Sequence, residues 1–227
     1  MKDKESRGFS NVILNISKDE ALLLINSSNP VDRTNGYRAY KNCMNDSIED
    51  AIFFVEKLLT EKKLYTRIEI EQLLALGGKN TLNVLIDNIL LTKTEKALEP
   101  SKKKCYPLSR NLISRIIGCM DSSIFDYAKT RMETLEIESL CEVIEGVGHL
   151  VFYNKVLDTQ ENFIFVKNIY KNTDYEPLTV NLIIMMSAFK QAECLLFVNM
   201  IVNTTMNKRI HVEAIRTETF IHHCQSK

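Results

Sequence analysis

Two clusters of ionisable side chains are the chain's main candidates for chemistry. Glu133, Glu136, Glu138, Glu142 and Glu145 form an acidic run with no basic residue inside it. Glu138, Glu142 and Glu145 fall at i, i+4 and i+7, so on a helix they share one face. Carboxylates paired in this way can move protons or hold a metal ion. No histidine converges on the run and no ligand loop accompanies it, so an exposed acidic stripe is the expected reading. The second cluster is basic: Lys93, Lys96, Lys102, Lys103, Lys104, Arg110 and Arg115 share a stretch whose only acids are Glu95 and Glu99. Such a segment can clasp a phosphate backbone or an acidic protein, or it can be a solvated loop. Tyr106 is its only aromatic residue, poor provision for stacking on single-stranded bases.

Other reactive residue types are scattered. His222-His223-Cys224 could offer metal ligands, but three neighbours at a chain end cannot close a tetrahedral zinc site alone. A frayed tail is expected there, and His149 and His211 stand alone. Cys43, Cys105, Cys119, Cys141, Cys194 and Cys224 show no C-x-x-C spacing, and most lie in apolar runs, as buried thiols do. No G-x-S-x-G, H-E-x-x-H, phosphate-binding loop or dinucleotide fingerprint occurs. The sequence therefore calls for no catalytic residue, no metal and no cofactor.

The elements that position these groups read as helices. Between Tyr65 and Leu91, Ile70, Leu73, Leu74 and Gly77 recur at helical spacing, and Gly77-Gly78 is suited to stop the helix. Asn80 is placed to cap a second one, whose stripe is Leu82, Leu85, Ile86, Ile89 and Leu90. Two such helices cannot bury both stripes alone and need stacked neighbours. Upstream, Ser17 and Glu20 form a capping box, Pro30 opens a helix, and Asp46 with Glu49 starts another. Lys93 to Tyr106 is too long for an ordinary helix-helix turn and is expected to be the most mobile connection. Helices then run from Pro107 to Gly118, from Asp121 to Met132, and from Ile137 to a stop near Gly146 and Gly148. Residues 149–160 are ambiguous between a helical extension and a connector. Four more helices follow, about Glu161–Tyr170, Asp174–Phe189, Cys194–Ile201 and His211–Ile221. Met185, Met186 and Met200 read as core filler. The expected architecture is about twelve helices in six pairs. They form one domain over residues 17–227, behind a flexible segment 1–16.

Bulk composition agrees with a helical core. The 227 residues are 45% hydrophobic, which argues against disorder. Seven glycines and four prolines are too few for a many-turned all-β chain. With 29 basic and 29 acidic residues there is no overall pull toward nucleic acid or membrane. The charged first ten residues lack a signal-peptide core, and runs such as Leu182–Met186 fall far short of the ~20 residues a membrane span needs. A cytoplasmic protein is expected.

Asn29-Pro30-Val31-Asp32-Arg33 followed by Ala39, Arg67 through Leu76-Gly77, and Ser109-Arg110 through Ile117-Gly118 each resemble the second helix of a HEAT repeat. The resemblance extends over about residues 17–222 and implies an all-α, right-handed α-α superhelix of about six stacked antiparallel pairs. Gly77, Gly118 and Gly148 are spaced 41 and 30 residues apart, so the period is irregular. Glu138 or Leu178 stands where the pattern expects arginine. The resemblance places Arg33, Arg38, Lys41, Arg67, Arg110 and Arg115 on a concave face; alternatively, Arg33, Arg67 and Arg110 bond the neighbouring repeat's turn. The implied function is a non-enzymatic scaffold or adaptor for a protein or peptide. Its candidate contacts are those residues together with Lys102, Lys103, Lys104, Glu138, Glu142 and Glu145. The alternative is a nucleic-acid-binding or glycosylase-like repair protein of the same kind, disfavoured by the neutral charge and the lack of tryptophan. HEAT-like lyases that act on bilins form a third class, with no specific residue here in its favour.

Overall fold

Side-chain caps start several of the helices. In the computed structural model, which describes residues 2–12, 14–93 and 105–225, Ser17 accepts the Glu20 amide while Glu20 returns a bond to the Ser17 amide. Asn29 caps the next helix with Pro30 in its first turn, and Ser47, Asn111, Asp121 and Thr159 cap others. Every described element is helical, and no strand occurs among the described residues. None of the described helices is long and apolar enough to cross a membrane.

The chain divides into two compact units, Met1–Asn88 and Ile89–Lys227. The first holds α1 (Lys2–Ser6), α2 (Lys18–Ile25), α3 (Pro30–Tyr40), α4 (Ile48–Thr60), α5 (Leu64–Ala75) and α6 (Lys79–Asp87). The second holds α7 (Leu112–Gly118), α8 (Phe125–Met132), α9 (Ile137–Tyr153), α10 (Gln160–Lys171), α11 (Glu176–Met186), α12 (Ala192–Thr204) and α13 (Lys208–Gln225). Short 3-10 turns fill several joints.

Packing within each unit follows one rule. A helix lies against its sequence neighbour, as α2 on α3, α8 on α9, α10 on α11 and α12 on α13. It also lies against the helix two places on: α3 on α5 and α4 on α6 in the first unit, α7 on α9, α9 on α11 and α11 on α13 in the second. The second unit thus carries a row of four helices, α7, α9, α11 and α13. Apolar stripes meet in these contacts, and Phe54, Ile70, Leu73, Leu82, Val143, Phe163, Leu182 and Met185 are fully buried.

Polar side chains repeat the same rule. Arg33 bonds Glu61, 28 residues on, and the Thr34 and Thr66 hydroxyls pair across 32. Asn111 reaches Glu142 across 31 residues, and Asn181 reaches back to Glu145 across 36. Asp46 accepts from the amides of Gly78, Asn80 and Thr81 at 2.9–3.0 Å and from the Thr81 hydroxyl at 2.9 Å. Asp158 accepts from the Lys190 amide, 32 residues on, in the same manner.

Three sequence expectations change here. Asp46 does not start its own helix, which Ser47 caps; it satisfies the orphan amides at the start of α6, the role expected of Asn80. Pro107 does not open α7, which begins five residues later under Asn111. Gly146 and Gly148 stop nothing: α9 runs through both to Tyr153, absorbing the first residues of the ambiguous stretch. They allow close approach instead, since a Cβ on Gly146 would lie 2.5 Å from the Ser114 carbonyl oxygen and one on Gly148 would strike the Tyr106 hydroxyl. The N-terminal stretch makes contacts of its own. The Phe9 and Tyr65 rings meet edge-on at 5.2 Å, and the Tyr65 amide donates to the Arg7 carbonyl.

Burial alone raises the Asp46 carboxyl's pKa, but the bonds from Thr81, Asn80 and Gly78 outweigh it and hold it below its usual value. Asp46→Ala is expected to cost about 1–2 kcal/mol, a capping loss delivered from the preceding pair. Urea unfolding should show a lower midpoint at unchanged slope. An unchanged midpoint would mean that water caps α6 as well as Asp46 does.

Candidate functional site

Of the three glutamates sharing a face of α9, only Glu138 is exposed, and it pairs with Lys93 at 2.9 Å. Glu142 and Glu145 lie half-buried, because α7 and its preceding strap pack on one side of α9 and α11 on the other. The buried amide of Asn111 donates to Glu142 at 2.9 Å. Glu145 accepts from the Ser109 hydroxyl at 2.5 Å and from Asn181 of α11 at 3.2 Å. Asn181 also donates to the Cys141 carbonyl, and Ser114 to the Glu142 carbonyl. The exposed stripe expected from sequence is therefore, apart from Glu138, a set of polar ties across α7, α9 and α11.

Burial sets the electrostatics. It raises the Glu142 carboxyl, against the opposing effects of Asn111 and the Lys93 charge. Burial pushes Glu145 further, to about 7; the Ser109 bond pulls it down, the Glu142 charge adds to the rise, and Asn181 opposes it. Glu145 therefore holds a proton in the fold between 4.5 and about 7, where the unfolded chain has lost it. Folding then takes up a proton, and this group's stabilising contribution is present below 4.5 and lost as pH rises to about 7. Glu145→Gln is neutral throughout. Relative to the wild type, its stability should improve by about 2–3 kcal/mol between those limits and stay level above them. Chemical denaturation of both proteins across that range measures the difference, and a constant difference would mean that Glu145 ionises normally.

The row continues into an open groove of about 460 Å³ between α11 and α13. Val180, Asn181 and Ile184 line one wall; Lys208, Arg209, Val212, Glu213 and Arg216 line the other. Arg209 reaches Glu176 and Arg216 reaches Glu213, each at 3.1 Å. Asn181 belongs both to this groove and to the carboxylate ties, so the groove adjoins the ties of α9. No group of three or more His, Cys, Asp or Glu side chains placed to hold a metal occurs among the described residues.

The basic candidates are placed differently. Arg33 makes a two-pronged pair with Glu61 at the end of α4 and donates to the carbonyls of Ser27 and Ser28 in the turn before its own helix. Arg38 and Lys41 converge on Glu69, and Arg67 lies 3.8 Å from Glu71. Arg110 and Arg115 are half-buried and already engaged. Lys96, Lys102, Lys103 and Lys104, with the mobility expected of their segment, lie outside the described residues. Tyr106 is buried against His149 and Phe152, away from any base-stacking role. The residues missed from sequence are Ser109, Asn111, Asn181 and the groove's apolar wall. A lone asparagine inside V-N-L-I-I was the available signal, since a polar side chain there needs a partner.

Compared with protein-family models and with curated proteins, the sequence matches none of either.

Proposed function

We propose that the protein is a helical-repeat scaffold of HEAT type, a right-handed array of helix pairs, which binds a protein or peptide along its second helices. The observation that supports this reading is the α11–α13 groove, where exposed Val212 stands beside the buried Val180 and Ile184 and next to exposed Lys208. A partner segment can set an apolar residue against Val212 and an acidic one against Lys208. The ties span 28 to 40 residues, the longest reaching the ~40–47 of common HEAT and armadillo repeats.

A photo-crosslinking residue at position 212 should capture a defined partner, identified by mass spectrometry. The same partner, once purified, should bind the wild type and lose about tenfold affinity to Val212→Asp, which removes one apolar contact and buries a charge. Equal affinity for the variant would overturn the surface assignment. Submicromolar nucleic-acid binding at ~0.15 M salt would instead place the protein in the nucleic-acid class.

A further inference from the structure

The first unit contains a second open cavity with a different lining. It lies between the α2–α3 turn and the α4–α5 turn, has a volume of about 370 Å³, and is lined by Arg33, Tyr37, Lys57, Glu61, Lys62 and Lys63 among others. We propose that this cavity binds the phosphoryl group of a small phosphorylated molecule, held by the Tyr37 hydroxyl and the ammonium groups of Lys57, Lys62 and Lys63.

The first argument is charge. Arg33 and Glu61 neutralise each other at 2.8 and 3.0 Å, and the remaining Glu61 capacity goes to the Lys63 amide. Among the described residues, no carboxylate pairs with Lys57, Lys62 or Lys63. Lys57 donates only to the neutral Asn26, at 2.7 Å, and lies over the Phe53 ring. Three cations thus line an open concave space whose carboxylate, Glu61, is already paired with Arg33, and an ammonium is a strong point-charge ligand for phosphate.

The second argument is Tyr37. It is 1% exposed, its ring packs edge-on against Phe54 at 6.1 Å, and it still lines the cavity. Among the described residues none hydrogen-bonds its hydroxyl, which is open to the cavity rather than sealed in the core. Burial, and after it the Glu61 charge, raises its pKa, so it stays a proton donor at every physiological pH. A phosphoryl oxygen in the cavity supplies the acceptor it lacks. The space suits a phosphate and a few further atoms rather than a nucleic-acid duplex.

Size and register also separate it from its counterpart in the second unit. The groove at the α8–α9 and α10–α11 turns is lined by Met132, Leu135, Ile137, Phe165 and Ile169, with Asn168, Asn172 and Thr173 where the first unit has Lys57, Glu61 and Lys62. The position in the repeat does not by itself demand cations.

Calorimetric titration of the full chain with inorganic phosphate and with glycerol 2-phosphate tests the proposal. Sodium chloride at matched ionic strength and glycerol serve as controls. Saturable binding of phosphate, of the ester, or of both supports it, and the two arms tell free phosphate from a monoester. Tyr37→Phe removes only a hydroxyl and should weaken binding about fivefold. The exposed pair Lys62→Gln with Lys63→Gln should weaken it about tenfold or more at low salt, independently of any packing effect at Tyr37. Heat no greater than in the controls, or equal affinity in the wild type and both variants, would overturn the assignment. So would an oligonucleotide binding here more tightly than either small anion.

Discussion

Gly146→Ala is expected to lower the unfolding temperature of the second unit by about 3–10 °C, a loss of about 1–3 kcal/mol. The sign is the informative part. In an unobstructed helix interior, replacing glycine by alanine gains about 1 kcal/mol. Here the added methyl would lie 2.5 Å from the Ser114 carbonyl oxygen and 3.1 Å from the Ile117 Cβ. Neither backbone can yield without separating α7 from α9. That separation stretches the Ser114 hydroxyl bond to the Glu142 carbonyl, 2.7 Å long, and the Asn111 bond to the Glu142 carboxylate. Gly146→Val, with two further methyls and poorer helix propensity, should abolish cooperative unfolding of this unit. Calorimetry of both variants is decisive: a raised transition in the alanine variant would mean that α7 does not press on α9 at this point.

Gly146 also shows where sequence reading reaches its limit. A glycine that ends a helix and a glycine that admits a neighbouring backbone look alike in the chain, because both are marked only by a missing side chain. The capping box at Ser17 and Glu20 was legible because its atoms lie within one turn. The cap on α6 was not, since its oxygen atoms belong to Asp46, 32 residues before Gly78. The spacing of Glu138, Glu142 and Glu145 correctly put them on one face of α9. Which part of that face is covered depends on α7 and α11 stacking beside it, and nothing local encodes that. Helix pairing was legible from apolar stripes, whereas glycine spacings gave no steady period. The side-chain ties, which span 28 to 40 residues, join neighbouring elements of one unit without a steady period of their own.

Glu69→Ala should be among the most damaging single changes in the first unit, at about 3–5 kcal/mol, as expected when one partner of a buried ionic cluster is removed. Glu69 is 6% exposed on α5 and holds two cations of the α3 end: Arg38 at 2.7 Å and Lys41 at 2.8 Å. Without it two like charges face each other with no anion between them. Arg38 keeps a bond to the Ser10 carbonyl and Lys41 one to the Gln72 side chain at 2.8 Å, but neither supplies charge. The same experiment bears on function, since Arg38 and Lys41 were candidates for partner contact. If their work is to hold α3 against α5, combining Arg38→Met with Glu69→Ala should recover part of the loss. Equilibrium unfolding of the two single variants and the double should then give a coupling energy of about 1–3 kcal/mol. If their work is to meet a partner, Glu69 serves only to position them. Glu69→Ala would then leave the denaturation midpoint near that of the wild type while partner affinity falls. With Glu69 buried and both cations bonded only within the unit, the first result is the one predicted.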